Sequence, residues 1–391
     1  MSNSFKTFLK HTAKDFHNQS VNPPVVRAST IIFKSMQDIR KTQAKAIKNP
    51  TGGHYDYGRQ GTSTTYILQK ILTKLEESYH VFTTPTGFGA VFLAIFSVTR
   101  PGDEIIVADP VYSPTRILTE NFLKEFNIKT TFYDPHDLKT LEKSITKKTK
   151  LIFVENPGSN SFDFQDLGKI ISIAKKHKIL TVMDNTWGTP YFLKPIKLGF
   201  DMAIVSATKY YSGHSDVMGG SLAVNKKVFP KVKAAERITG LRLGPDDAYL
   251  ITRGLRTLDV RLDRHRENAK KVAEFLSKNK KFKLLYPYKK DSYNFRMWKK
   301  YYSGASGLMG VQIKSKNVNS IRKFVNSLKL FGYGYSWGGF ESLALHQEFR
   351  ETGKRKYLKL KKDEHLVRFH IGLEDPSDLI ADIKQALKHL K

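Results

Sequence analysis

The chain has 391 residues and a formal net charge of +30, from 66 Lys+Arg against 36 Asp+Glu. It contains no cysteine, which excludes disulfides, zinc–thiolate sites and cysteine nucleophiles. With 40% hydrophobic and 12% aromatic residues it has an ordinary globular composition, and its length suits two domains with a sizeable core.

The opening MSNSFKTFLKHTAKDF lacks the apolar h-region of a secretory leader, and no apolar run approaches the length of a membrane span. A cytoplasmic protein with no membrane partner is expected. The lysines are scattered through separate segments such as KKHK, KNKKFK and KYLKLKKDE. No nucleic-acid-binding motif accompanies them. A lysine-rich surface therefore accounts for the charge better than a nucleic-acid partner does, and anionic ligands remain a secondary consequence.

Residues 1–58 read as an extended arm, because VNPPVVRAST and NPTGGHYDYGRQG are rich in turn formers. Apolar residues then recur at helical spacing through Ile67, Leu68, Ile71, Leu72 and Leu75. Beyond TPTGFGAVFLAIF, strands and helices alternate. DEIIVADP reads as a strand ending at a turn, LIFVENPGS as a strand running into a loop, and IKTTFYD, ILTVMDN and DMAIVSATK as strands. PTRILTENFLKEF and LGKIISIAKKHK read as helices. Continuous apolar strands in alternation with helices predict an α/β domain built on a mostly parallel sheet, over residues 59–248. From Asp247 one long helical segment leads into GLMGVQIKSK, SIRKFVNSLKL, LVRFHIGLE and DLIADIKQALKHL, a smaller C-terminal α+β domain over residues 249–391.

In such a sheet, ligands bind beyond the carboxyl ends of the strands. The residues at those ends are Tyr112, Ser159, Asp184, Ser206, Thr208 and Lys209. Gly87 and Phe88 open an apolar helix. Each residue admits two readings. Gly87 and Gly89 suit a tight turn, and equally a helix N-terminus that receives a phosphate. Asp184 suits a turn cap, and equally a partner for a protonated heterocyclic nitrogen. Ser206 and Thr208 can serve local backbone or phosphate oxygens, Tyr112 can be core or a stacking platform, and Lys209 can reach solvent or act as a nucleophile. Together they make the set that pyridoxal phosphate requires: a phosphate cradle, a stacking aromatic, a carboxylate and a lysine.

The segment DNTWGTPYFLKPIKLGFDMAIVSATKYYSGHSDVMGG resembles the signature around the Schiff-base lysine in the Cys/Met-metabolism family of pyridoxal-phosphate enzymes. VNPPVVRAST, YDYGRQGTST, DAYLITRGLRTLDVRLDRHRENA and VRFHIGLEDPSDLIADIKQAL extend the resemblance over essentially the whole chain. It implies a fold-type I transferase-like architecture with pyridoxal 5'-phosphate as cofactor. It implies that Lys209 is the Schiff-base lysine and acid–base group, Asp184 the pyridinium partner and Tyr112 the stacking residue and second proton donor. Gly87, Phe88, Ser206 and Thr208 match the phosphate cradle. Tyr57 and Arg59 match residues that reach the phosphate of a neighbouring subunit, with Tyr57 also near substrate, which implies shared active sites in a dimer of dimers. Arg368 matches the grip on the substrate α-carboxylate, and Ser336 and Trp337 match the lining of the substrate site.

Two departures stand out. ENPGSNSF puts Ser159 where many members carry asparagine near the cofactor hydroxyl, and Phe88 stands where methionine or leucine is common. The ENPGS, DNTW and YSWGG segments look most like the bacterial cystathionine β-lyase branch, with Trp187 and Trp337 expected to shape the distal pocket and ordinary packing as the other reading of each. The expected reaction is carbon–sulfur β-elimination of cystathionine to homocysteine, pyruvate and ammonia, with amino-acid racemisation as a side activity. A γ-synthase or γ-lyase is the alternative within the family. A basic nucleic-acid-binding protein is the alternative outside it.

Overall fold

The computed structural model describes residues 4–12, 20–53, 56–287, 290, 292–347, 355–357 and 360–390. In chain order its strands are β1 (His80–Thr84), β2 (Glu104–Ala108), β3 (Lys129–Tyr133), β4 (Thr149–Glu155), β5 (Leu180–Asp184) and β6 (Met202–Ser206). They are followed by β7 (Gly220–Val224), β8 (Phe282–Leu285), β9 (Leu308–Lys314), β10 (Leu343–Gln347) and β11 (Glu364–His370). The chain divides into two compact units: Met1–Val98 with Lys194–Ser212 and Asp216–Leu258, and Thr99–Leu193 with Gly213–Ser215 and Asp259–Lys391.

In the first unit, β7 runs antiparallel to both β1 and β6. Gly220 faces Thr84 on one side and Ser206 on the other. β1 and β6 therefore end at one level, and the residues that follow each strand emerge together. β1 leads through a short turn into α4 (Gly87–Val98), whose mostly apolar side chains are largely buried. Preceding β1 is α3 (Ser63–Leu75), which buries Leu68, Ile71, Leu72 and Leu75 on one stripe, as the periodicity predicts. The Thr62 N–H donates to Thr65 Oγ1 at 2.9 Å and fixes its start.

The stretch read as an extended arm is only partly extended. It holds α1 (Phe5–Lys10) and α2 (Met36–Lys48), each opened by a serine whose hydroxyl accepts an N–H of the first turn. The long helical segment after Asp247 is two helices, Pro245–Leu255 and Leu258–Ser277. The first closes in tight turns, where the Arg256 N–H donates to Arg253 O and the Thr257 N–H to Gly254 O.

In the second unit, β5-β4-β2-β3 lie side by side, all parallel. Parallel strands need covered faces, and β2, β4 and β5 are buried along almost their whole length. A separate antiparallel sheet, β10-β11-β9-β8, packs with the helices Leu258–Ser277, Val318–Asn326 and Pro376–Ala386. Met309, Val311, Phe324, Phe331 and Phe369 fill that core.

Candidate active site

In the first unit, chemistry-bearing residues gather where β1 and β6 end. Ser206 is the last residue of β6, and Gly87 is the first of α4. A Cβ at Gly87 would lie 2.4 Å from Ser206 Oγ and 2.6 Å from its Cβ, so only glycine leaves this corner open. Thr208 is locked across from β7: its N–H donates to Gly219 O at 3.2 Å, and its Oγ1 accepts the Gly219 N–H at 3.0 Å. The half-buried Lys209 sits between Ala207 and Tyr210, which are both buried. Its N–H closes a turn onto Ser206 O at 3.1 Å. Phe88, one residue into α4, keeps 39% of its surface exposed.

Tyr57 is 47% exposed, and Arg59 is exposed as well. The Arg59 guanidinium lies 5.8 Å over the Tyr57 ring and donates from Nη1 to Arg237 O at 2.9 Å. These two side chains thus form a pair on the surface of the unit.

In the second unit, two carboxylates end adjacent parallel strands: Glu155 on β4 is in register with Asp184 on β5. Asp184 Oδ1 accepts from the Thr186 N–H at 2.9 Å and from the Thr186 hydroxyl at 2.6 Å, which orients it. Glu155 Oε2 accepts the Tyr112 N–H at 2.6 Å. Burial and the negative charge of Asp184 hold the Glu155 carboxyl well above the usual carboxylate range. Glu155 therefore anchors Tyr112 through its backbone, while the Tyr112 ring remains 48% exposed.

The turn that carries Tyr112 has a second anchor. Asp109 is fully buried and receives Arg116 Nη2 at 2.6 Å, as well as the N–H groups of Lys356 and Tyr357 at 2.9 Å each. Arg355, 6% exposed, donates to Ser159 O at 2.5 Å. Sequence reasoning passed over Glu155, Asp109 and Arg355. Glu155 had a signal, since it is the acid that ends a strand beside the strand ending in Asp184.

Arg368 on β11 donates from Nη2 to Ser336 O at 3.2 Å, so these two predicted substrate residues do meet. Ser336 adopts a left-handed conformation, with φ 78°. Trp337 beside it is half-buried. His370, two residues beyond Arg368, contacts Gly338 N and Gly339 O at 3.1 Å each, which ties the 336–339 loop to the strand. Trp187 is spent in packing. It is 5% exposed, its indole N–H donates to Leu308 O at 2.9 Å, and its ring meets Phe164 and Tyr302 edge-on.

The family model for Cys/Met metabolism PLP-dependent enzymes matches residues 6–388. The chain belongs to that family. Its cofactor is pyridoxal phosphate, and its substrates are amino acids. It is 36% identical to a cystathionine beta-lyase of Bordetella avium, over 94% of this chain and 92% of that one. It is 35% identical to an L-alanine/L-glutamate racemase of Wolbachia pipientis, over 95% and 93%. The crystal structure of a cystathionine gamma synthase from Xanthomonas oryzae pv. oryzae, in complex with aminoacrylate and cysteine, superposes with a TM-score of 0.89 at 28% identity. That match covers 100% of this chain and 99% of the other. The α/β fold expected from the alternation of strands and helices is the fold of this family. Among the described residues, no helix is long and apolar enough to cross a membrane.

The residues present fit the cofactor. The corner opened by Gly87 is the cradle a Cβ would fill, with the hydroxyl-bearing Ser206 and Thr208 on the same strand end. Phosphate there would meet the positive end of a twelve-residue helix. Asp184, oriented by Thr186 and in register with Glu155, whose carboxyl is held well above the usual range by burial and by the charge of Asp184, is the type of acid that holds a cationic ring nitrogen.

Proposed function

We propose that the chain is a carbon–sulfur β-lyase acting on cystathionine, yielding homocysteine, pyruvate and ammonia. The observation that carries this reading is the 36% identity to the Bordetella avium cystathionine beta-lyase across nearly the full length of both chains.

Bound pyridoxal phosphate supplies an electron sink for the charge left when a bond to the substrate Cα is broken. The chain's own residues do the rest. Gly87, Phe88, Ser206 and Thr208 hold the phosphate, and Lys209 carries the cofactor at rest. Asp184 keeps the ring nitrogen protonated. Arg368 grips the substrate α-carboxylate with a planar fork, in a pocket lined by Ser336 and Trp337. The Lys209 amine takes the Cα proton, and the Tyr112 hydroxyl or Lys209 delivers a proton to the departing sulfur. The 48% exposure of the Tyr112 ring, together with its backbone anchor on Glu155, supports a ring presented to a ligand.

Tyr57 and Arg59 are proposed to reach the cofactor phosphate of a second copy, in a homo-oligomer with shared sites. Their surface position supports this, as does α2, which buries none of its side chains.

The deciding experiment is product analysis with cystathionine. Pyruvate with homocysteine supports β-elimination. 2-Oxobutyrate with cysteine assigns a γ-lyase instead. The racemase relative favours a second reading, in which the same Cα carbanion is reprotonated from the opposite face. D-Alanine formed from L-alanine would establish it, and its absence would dismiss it.

A further inference from the structure

We propose that Glu76 is a positioning residue for the turn that carries Lys209, acting through the hydroxyl of Tyr211. The inference rests on the reading of Lys209 as the cofactor-bearing residue.

Glu76 closes α3 and is fully buried. Its Oε1 accepts the Tyr211 hydroxyl at 2.8 Å, and Tyr211 is also fully buried. Its Oε2 is buried without a hydrogen-bond partner. A carboxylate enclosed in this way with one donor is a costly arrangement, since ionisable groups rarely enter a core unless paired. Burial pushes the Glu76 carboxyl up to about 7, against the Tyr211 hydrogen bond and the charge of Lys194, which pull it down. Those are the groups that face it. Lys194 is itself shared with Glu77 through a short ion pair, and Ser221 of β7 faces the Tyr211 hydroxyl.

Tyr211 stands two residues beyond Lys209, and the turn that holds both is cross-tied by hydrogen bonds. The Ser212 N–H donates to Ala207 O at 3.0 Å, and the Ser212 hydroxyl reaches Thr208 O at 3.2 Å and Lys209 O at 3.3 Å. Gly254 presses its bare Cα against the carbonyls of Tyr211 and Ser212, where a Cβ would come within 2.4 Å and 2.3 Å. A change at the Tyr211 hydroxyl is therefore passed to Lys209 rather than absorbed. The ionised carboxylate gives a charge-assisted bond to Tyr211. The protonated acid weakens that bond and places an O–H where Oε2 finds no acceptor. The two protonation states hold the turn differently.

The test uses the holoenzyme and two variants, Glu76→Gln and Tyr211→Phe. The absorption of the bound cofactor is followed against pH, with the cofactor dissociation constant and kcat/KM measured in parallel. The wild type should show a spectral transition near neutral pH that Glu76→Gln lacks, with kcat/KM losing its matching limb. Tyr211→Phe keeps the acid but removes a bond that favours its ionised form, so its transition should move to higher pH by about one unit. A transition that stays in place in both variants overturns the proposal. Should Glu76→Gln not fold, an unmoved transition in Tyr211→Phe overturns it alone. A wild type with no lysine-bound cofactor band refutes the assignment of Lys209 itself, which is a different and recognisable result.

Discussion

Gly87→Ala is the sharpest probe of the phosphate cradle. The added methyl would sit 2.4 Å from Ser206 Oγ, 2.6 Å from Ser206 Cβ and 3.1 Å from its Cα. A rotamer change at Ser206 relieves the first contact but leaves the Cβ contact, so the strand end itself must yield. Overpacking of this kind costs roughly 1–3 kcal/mol. Without cofactor, the Ser206 hydroxyl can swing away, which relieves the Oγ contact and leaves the Cβ contact as a cost to the fold. With cofactor, the hydroxyl must return to the phosphate and the strain reappears. The hydroxyl's share of the penalty falls on cofactor binding, and at about 1.4 kcal/mol per decade the full range sets a ceiling of roughly 5- to 150-fold on the rise in dissociation constant.

Gly89→Ala is the matched control on the same helix. Its methyl would meet Thr86 Oγ1 at 3.3 Å and Thr84 Cβ at 3.4 Å, contacts that a small side-chain adjustment accommodates. Removing a glycine from a helix contributes about 0.5–1 kcal/mol of stability. The assay is titration of apoprotein with pyridoxal phosphate, followed by absorbance, beside thermal unfolding of the apo form. Equal cofactor affinity in Gly87→Ala and wild type, or a larger loss in Gly89→Ala, would refute the cradle as described.

Other expectations follow from the same structure. Asp109→Ala leaves Arg116 buried with only part of its ion pairing and unties Lys356 and Tyr357. It should lower unfolding stability by about 3–5 kcal/mol in urea, and a loss below about 1 kcal/mol would count against the anchor. Arg368→Lys trades a planar fork for a point charge and should raise KM more than it lowers kcat in steady-state kinetics. His80 is held neutral, at about 4, by burial and by the charges of Arg242 and Lys233. Because the unfolded histidine binds its proton at higher pH, the stability contribution is complete above about pH 6.5 and is lost as pH falls towards about 4. His80→Gln should flatten that acid limb in unfolding curves measured between those pH values. Arg59→Ala and Lys209→Ala should each abolish turnover. If sites are shared between copies, unfolding and refolding the two variants together should restore about a quarter of wild-type activity, because half the dimers are mixed and each mixed dimer holds one intact site. No restoration would place Arg59 in its own subunit's chemistry.

Much of this was legible from strand patterning alone. The apolar runs DMAIVS and LTVMD end where β6 and β5 end, so Ser206 and Asp184 could be named as strand-terminal residues before any coordinates. The helix periodicity through Leu68, Ile71, Leu72 and Leu75 matches the buried stripe of α3. What escaped depended on contacts distant in the chain or on local hydrogen bonds that weigh little in a periodic pattern. The tie from Asp109 to Lys356 and Tyr357 joins residues nearly 250 positions apart, and no local pattern announces it. The helices of the arm begin at Ser4 and Ser35 caps that are overshadowed by the surrounding turn formers. Glu155 closes the apolar run LIFVE, as it closes β4. The register with Asp184, which makes it a partner, appears only once the strands are paired. For Trp187 the sequence admits either a wall of the distal pocket or ordinary packing, and its burial and its indole bond to Leu308 O make it a buried brace.

The manner in which Tyr112 is fixed bears on how such an enzyme can diversify. Glu155 holds the Tyr112 N–H, a group every residue except proline possesses, so this bond does not depend on the side chain. An exchange of the side chain at position 112 therefore leaves the backbone bond to Glu155 available. A library built there would test the roles proposed for the ring and its hydroxyl while keeping the Glu155 bond, whereas proline alone would remove the mount itself.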